Sequence, residues 1–185
     1  DEMGKQKKEG EIGEICVRGP IIMNGYLKDT DATEKTFRFG WFHSEDLGYW
    51  KSVFGRKFFF MTGRKKEIIK KAGSLISPLA VENALLKSFP KLLQVYVFGF
   101  QDQRLGEEIG FVAESKDKNI VEKIVRRGVQ GNIKNLSKFE SPQAGMLIRD
   151  ENLPKTSTGK IQRVNIKQVF ATKLANAKKA ISNKD

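Results

Sequence analysis

The pattern of the chain changes at Gly63-Arg64, and that change limits the folds it can adopt. Upstream, Glu11 to Arg18 and Ile21 to Tyr26 set β-branched and apolar residues between glycines, which predicts two short strands. Asp29-Thr30-Asp31 offers caps for a helix running through Phe37. Trp41 to Trp50 and Lys57 to Thr62 predict a hairpin across Ser52 to Gly55, and most of the aromatic residues fall in this first third. Downstream, Glu67 to Lys71 reads as a short strand. Pro78 opens a helix with Val81, Leu85, Leu86 and Phe89 at helical spacing, and Pro90 stops it. Leu92 to Phe100 and Glu108 to Glu114 read as strands, Ile120 to Leu136 as a helix and Met146 to Arg149 as a strand. A last helix, Val164 to Ile181, carries Phe170, Leu174, Ala177 and Ile181 on one stripe. The order predicts an α+β protein in two parts, a β-rich piece over residues 1–63 and a small α+β unit over residues 64–185.

The 185 residues, 39% hydrophobic and 30% charged, are enough to bury a core. No apolar run approaches the roughly 18 to 20 residues of a membrane span, and the charged start has no signal-peptide character, so the expected location is cytoplasmic. One cysteine, Cys16, permits no internal disulfide, and with one histidine, His43, no metal site is expected. Cys16 reads as a small buried hydrophobe and His43 as a buried or edge residue of an aromatic strand rather than a catalytic base. The net charge of +12 is compatible with phosphate-bearing small molecules, nucleic acid or a membrane surface. Its excess gathers after Glu151, in Lys155, Lys160, Arg163, Lys167, Lys173, Lys178, Lys179 and Lys184.

One segment of that basic region has a specific design. Leu153-Pro154-Lys155-Thr156-Ser157-Thr158-Gly159-Lys160-Ile161-Gln162-Arg163 sets a lysine behind a hydroxyl-rich, Gly-containing turn. Such a turn can aim backbone N–H groups, hydroxyls and an ammonium at an anion. It is not a Walker A loop, which needs Gly where Pro154 stands and Ser or Thr where Ile161 stands. A solvated basic loop is the plainer reading of the same residues.

Four further motifs stand upstream in a fixed order: Gly13-Glu14-Ile15-Cys16-Val17-Arg18-Gly19, Gly25-Tyr26-Leu27, Gly40-Trp41-Phe42-His43-Ser44-Glu45-Asp46-Leu47-Gly48, and Gly63-Arg64-Lys65-Lys66-Glu67-Ile68-Ile69-Lys70-Lys71-Ala72-Gly73. Together with the Lys160 turn they resemble the carboxyl-terminal part of the adenylate-forming family: acyl-CoA synthetases, peptide-synthetase adenylation domains and firefly luciferase. The resemblance is closest to the AMP-forming acyl-CoA synthetases. It implies that residues 1–63 are the last β-subdomain of a larger amino-terminal core and residues 64–185 a carboxyl-terminal lid with a hinge near Lys66. The Ser/Thr/Gly-rich phosphate loop of that core is not found, so the chain is expected to be a fragment, inactive alone, whose partner is the missing core.

The implied reaction joins a carboxylic acid, expected to be a fatty acid, to ATP with Mg²⁺, giving an acyl adenylate that is then transferred to CoA. No nucleic acid and no bound cofactor are expected for the fragment. The resemblance assigns Lys160 to catalysis of the first step, Asp46 and Arg64 to the nucleotide ribose, Lys66 to the hinge, and Lys70 and Gly73 to a loop serving thioester formation. For Lys70 a solvent-facing strand lysine is the competing reading. The family usually has Thr-Gly-Asp where this chain has Ser44-Glu45-Asp46. Glu45 lacks the freedom of glycine to take positive φ and adds a negative charge near a polyphosphate. Phe58-Phe59-Phe60 read as core and interdomain packing. The rivals are a nucleic-acid or acidic-partner binding module using the basic tail, an adenylation domain loading a carrier protein, and a non-catalytic relic.

Overall fold

A computed structural model describes residues 1–159 and 161–182, with the side chains of residue 150 and residues 177–182 left aside. It is an α+β fold in two compact units, residues 1–66 and 67–185. None of the described helices is long and apolar enough to cross a membrane.

Unit 1 is a three-stranded antiparallel sheet in the order β1 (Gly13–Val17), β2 (Phe42–Val53), β3 (Arg56–Arg64). A seven-residue helix, α1 (Thr30–Thr36), precedes β2, and Asp29 caps it by accepting the Ala32 N–H. The two-residue turn Phe54–Gly55 closes the hairpin, both residues at positive φ, as the right-handed twist of the strands prefers. Ile21 to Tyr26 is not a strand. It runs as turns and bends with a lone bridge between Tyr26 and Asp29, and Ile21 stays 90% exposed. Apolar residues between glycines satisfied the strand pattern, but no neighbouring strand pairs with them. The Phe58 to Phe60 run is likewise not core: these rings are 48%, 64% and 41% exposed. They lie on β3, an edge strand of the unit 1 sheet.

Unit 2 is a five-stranded sheet. β4 (Ile69–Lys71) and β5 (Ser74–Ile76) form a short hairpin; β4 joins the start of β7 (Gly106–Ser115), which pairs along its length with β6 (Leu92–Asp102) and in parallel with β8 (Ala144–Leu147). The period-2 alternation of β6 and β7 divides the core. Val95, Val97, Ile109 and Phe111 face α2 (Pro78–Ser88) and α3 (Ile120–Gln130), while Phe98, Phe100 and Val112 face α4 (Arg163–Ser182). Ser77 caps α2 through the Ala80 N–H, with Pro78 at its first turn. The helix expected over Ile120 to Leu136 stops at Gln130, because Gly131 takes the left-handed conformation and its N–H returns to Arg127 and Gly128. On α4, Phe170 and Leu174 are buried as the stripe predicts; the side chains of Ala177 and Ile181 lie outside the described set.

Candidate functional site

Two groups of motif residues come together at one end of the unit 1 sheet. Asp46 and Arg64 are direct cross-strand partners, and Arg64 Nε lies 3.0 Å from Asp46 Oδ1. The contact is an ion pair by distance but lacks hydrogen-bond geometry, so Asp46 Oδ1 is a buried oxygen without a hydrogen-bond donor. A buried carboxylate oxygen in that condition is one of the costliest things a fold retains, and it points to a donor supplied from outside. One position earlier, Glu45 reaches Lys66: its Oε2 lies 2.9 Å from Lys66 Nζ. Lys66 is the last residue of unit 1.

The backbone at Glu45 shows why the sequence is unusual there. Its φ is +61°, the left-handed region that glycine occupies freely. Glu45 adopts the positive φ that its side chain was expected to forbid, because its neighbours hold it. Glu14 Oε1 accepts the Glu45 N–H at 3.1 Å, Ser44 Oγ donates to the Ile15 carbonyl at 2.7 Å, and the same oxygen accepts the Asp46 N–H at 3.1 Å.

Glu14, which sequence reasoning left unassigned, is the hub of this scaffold. Its other oxygen lies 3.0 Å from His43 Nδ1 and 3.8 Å from Arg38 Nη2, while His43 Nε2 faces the Arg38 carbonyl at 3.2 Å. Burial pushes the Glu14 carboxyl up, but the His43 hydrogen bond, the Glu45 N–H and the charges of His43 and Lys65 together hold it below its ordinary value. His43 is 8% exposed, in keeping with the buried position expected of it. Cys16 is half-buried with Sγ 3.5 Å from His43 Nδ1, and burial, then the Glu14 charge, push its thiol up. Glu14, Cys16 and His43 thus offer ligand atoms within 4.8 Å of one another, a grouping the sequence count of one cysteine and one histidine did not foresee. The Arg38 guanidinium, 3.4 Å from His43 Nδ1, already supplies the cation there, and both ring nitrogens face protein partners. The arrangement is that of an ion-pair network.

The remaining motif residues lie in unit 2. On β4, Ile69 and Lys71 point inward and Lys70 outward. Lys70 donates its backbone N–H to Glu107 Oε2 at 2.7 Å, and its side chain is exposed. Ala72 and Gly73 form the hairpin turn, both at positive φ (45° and 82°), and a side chain at Gly73 would meet only open space. The hairpin is tied down by a pair with no local signature in the amino-acid pattern. Lys71 Nζ lies 2.6 Å from Glu108 Oε1, with both side chains under 5% exposed, and also donates to the Phe139 carbonyl at 2.8 Å.

Lys160 lies outside the described residues. The turn before it is well defined: the Gly159 N–H donates to the Thr156 carbonyl at 2.9 Å, Gly159 has φ +80°, and Lys155 bridges Ile161 across the loop. Leu153 and Ile166 sink into the α4-side core on either side of it. Arg163 then clamps the start of α4, donating Nη1 and Nη2 to the two oxygens of Glu82 at 2.6 and 2.7 Å. Glu82 Oε1 also accepts the Val97 N–H. Hydrogen bonding to Glu82 outweighs burial and holds the guanidinium firmly charged.

Comparison with known proteins agrees with these motifs. No family model matches the chain. A probable CoA ligase of Humulus lupulus is 37% identical over 176 residues, covering 95% of this chain and 32% of the relative. The oxalate–CoA ligase of Arabidopsis thaliana is 35% identical over 174 residues, covering 94% and 32%. Among solved structures, the o-succinylbenzoate CoA synthetase of Bacillus subtilis in complex with its acyl-adenylate intermediate superposes with a TM-score of 0.73 at 25% identity, covering 87% of this chain and 31% of that one. Over nearly its whole length the chain is similar to adenylate-forming enzymes, CoA ligases among them. It spans about a third of the length of the curated relatives it matches.

Proposed function

We propose that the chain is the carboxyl-terminal portion of an AMP-forming acid–thiol ligase. In this reading the parent enzyme condenses a carboxylic acid with MgATP to an acyl adenylate and pyrophosphate, then passes the acyl group to CoA. The observation that carries the reading is the buried Asp46 Oδ1, which lacks a hydrogen-bond donor beside the Arg64 guanidinium. A ribose diol supplies such a donor, and the neighbouring cation favours an anionic nucleotide. Unit 2 acts as the lid, Lys66 as the pivot, and the Ala72–Gly73 turn with Lys70 as the face used for thioester formation.

Lys160 is the group of the first step. Carboxylate and α-phosphate are both anions, and charge accumulates on the phosphoryl oxygens as they meet. One ammonium bridging them at about 4 Å, at an effective dielectric near 20, contributes roughly 4 kcal/mol. The hydroxyl-rich turn before it and the Arg163–Glu82 clamp after it support this reading. The finer choice of a fatty acid as substrate is part of the proposal and is tested alongside short dicarboxylates.

In the full-length parent, Lys160→Ala is expected to slow pyrophosphate release by about 10² to 10³ while sparing thioester formation from preformed acyl adenylate. Equal losses in both half-reactions would make the lysine structural. No pyrophosphate release from the wild-type parent with any acid, together with salt-dependent duplex binding, would overturn the reading in favour of a nucleic-acid module. The 185-residue polypeptide alone is expected to release none.

A further inference from the structure

We propose that Glu45 is a positioning residue for the pivot at Lys66, setting the balance between the two half-reactions. The inference rests on the ligase reading above. Its starting point is that the chain holds a glutamate at φ +61°, where glycine would be relaxed. Among the described residues the only charged partner of its carboxylate is Lys66, 2.9 Å away, in a pair whose side chains are 49% and 73% exposed. An ion pair that open to water returns less stability than a left-handed glutamate loses. Fold stability therefore does not account for Glu45, and an observed backbone outlier of this kind points to function.

The surroundings give it one. Glu45 cannot drift, because Glu14 holds its N–H and Ser44 fixes the residues on either side. Its backbone is a stationary anchor on β2, and the carboxylate reaches out from that fixed point. Lys66 is at the other end of the pair and is the residue whose φ and ψ must change if the lid turns. A change at that backbone carries its side chain away from a partner that does not follow. The pair therefore belongs to the present pivot conformation and weights it against the other. The other charges at this corner are engaged elsewhere: Arg64 with Asp46, and Lys65 with Glu2 at 3.8 Å. Glu45, where this chain departs from the family's usual glycine, and Lys66, the expected hinge, are thus each other's partner.

The test uses the full-length parent and measures two single-turnover rates: pyrophosphate release on mixing acid and ATP, and thioester formation from preformed acyl adenylate. Glu45→Gln and Lys66→Gln should each shift the ratio of the two rates in the same direction, by about two- to fivefold. The charge swap Glu45→Lys with Lys66→Glu should bring it back. Raising salt from about 0.05 to about 0.5 M should move the wild-type ratio as the single variants do. Glu45→Gly should unfold no more easily than wild type while showing the same shift. An unchanged ratio in Glu45→Gln, proportional loss of both rates, or a swap that fails to restore the ratio overturns the inference and leaves the ligase reading standing. A wild-type parent that forms no adenylate overturns both.

Discussion

Unit 1 and unit 2 place their motif residues by different physical means. Among the described residues, every buried hydrophobic side chain belongs to unit 2, on the two faces of its five-stranded sheet. Unit 1 buries only His43, Gly48 and Gly63, and exposes much of its aromatic content. Its site corner is held instead by the polar network running from Arg38 through Glu14 and His43 to the Glu45 backbone. Packing therefore fixes Leu153 and Ile166 in unit 2, and hydrogen bonds fix the backbone at Glu45 and Asp46 in unit 1. The chain's two tryptophans, Trp41 and Trp50, both lie in unit 1. Tryptophan fluorescence thus follows unit 1, whereas helical circular dichroism follows mainly α2, α3 and α4.

The largest expected effect separates the units outright. Phe111 is fully buried, and Phe111→Ala should cost about 3–5 kcal/mol in the helical transition with little change in the tryptophan signal. Phe59, 64% exposed, should tolerate alanine within about 0.5 kcal/mol. Comparable losses at the two positions would mean that the aromatic strand of unit 1 is buried in solution and that the contrast is wrong.

Next comes the buried pair. Lys71→Met removes the ammonium beside the Glu108 carboxylate, which is 3% exposed, and should cost about 3–5 kcal/mol. The double change Lys71→Met with Glu108→Leu should recover most of it, since two matched apolar groups replace two desolvated charges. A double variant no better than the single would show that the Phe139 carbonyl, left without its donor, is the larger part of the cost.

These two sites also mark what the sequence could and could not reveal. Ser77-Pro78, the helical spacing after it and the alternation of β6 and β7 are local signals, and those elements form where they are expected. The end of α3 was equally local, in Gly131, but the apolar spacing running on to Leu136 masked it. Ile21 to Tyr26 failed because a strand needs a partner, which its own residues cannot specify. Lys71 among Lys65, Lys66 and Lys70 reads as one more solvated cation, and only the fold shows that strand alternation turns it inward onto Glu108. Family motifs single out Asp46, Arg64 and Lys66, and the fold pairs Arg64 with Asp46 and Lys66 with Glu45. Glu14 and Glu82, which hold the backbone and the Arg163 clamp, act across 31 and 81 positions and leave no local trace.

The polar network of unit 1 has its own signature in pH. The Glu14 carboxyl is lower in the folded state than in the unfolded chain, so its contribution is fully present above the unfolded value, about 4.3, and is lost as pH falls through the folded one. Tryptophan-detected stability should decline in that acid window. Glu14→Gln should cost about 1–3 kcal/mol at neutral pH and abolish this part of the decline. An acid profile identical in the variant would remove Glu14 from the role of hub.

The smallest effect is the one expected to be the same in both units. Each has a two-residue hairpin turn of the form X-Gly with both residues at positive φ: Phe54–Gly55 in unit 1 and Ala72–Gly73 in unit 2. Phe54 is 99% exposed and Ala72 is also exposed, so neither side chain is held in its left-handed conformation by packing. The strain is then purely local, and relieving it should help regardless of how the surrounding unit is stabilised. Phe54→Asn, which makes the preferred Asn-Gly turn, should raise tryptophan-detected stability by about 0.5–1 kcal/mol. Ala72→Gly should raise the helical transition by a similar amount, less the extra freedom glycine gives the unfolded chain. A gain at Phe54 with a loss at Ala72 would mean that the unit 2 turn is held by more than its own dihedrals. The hydrogen bond from the Ala72 N–H to the Leu105 carbonyl, at 2.7 Å, is then the contact to examine, because a looser turn would weaken it on the hairpin that carries Lys70.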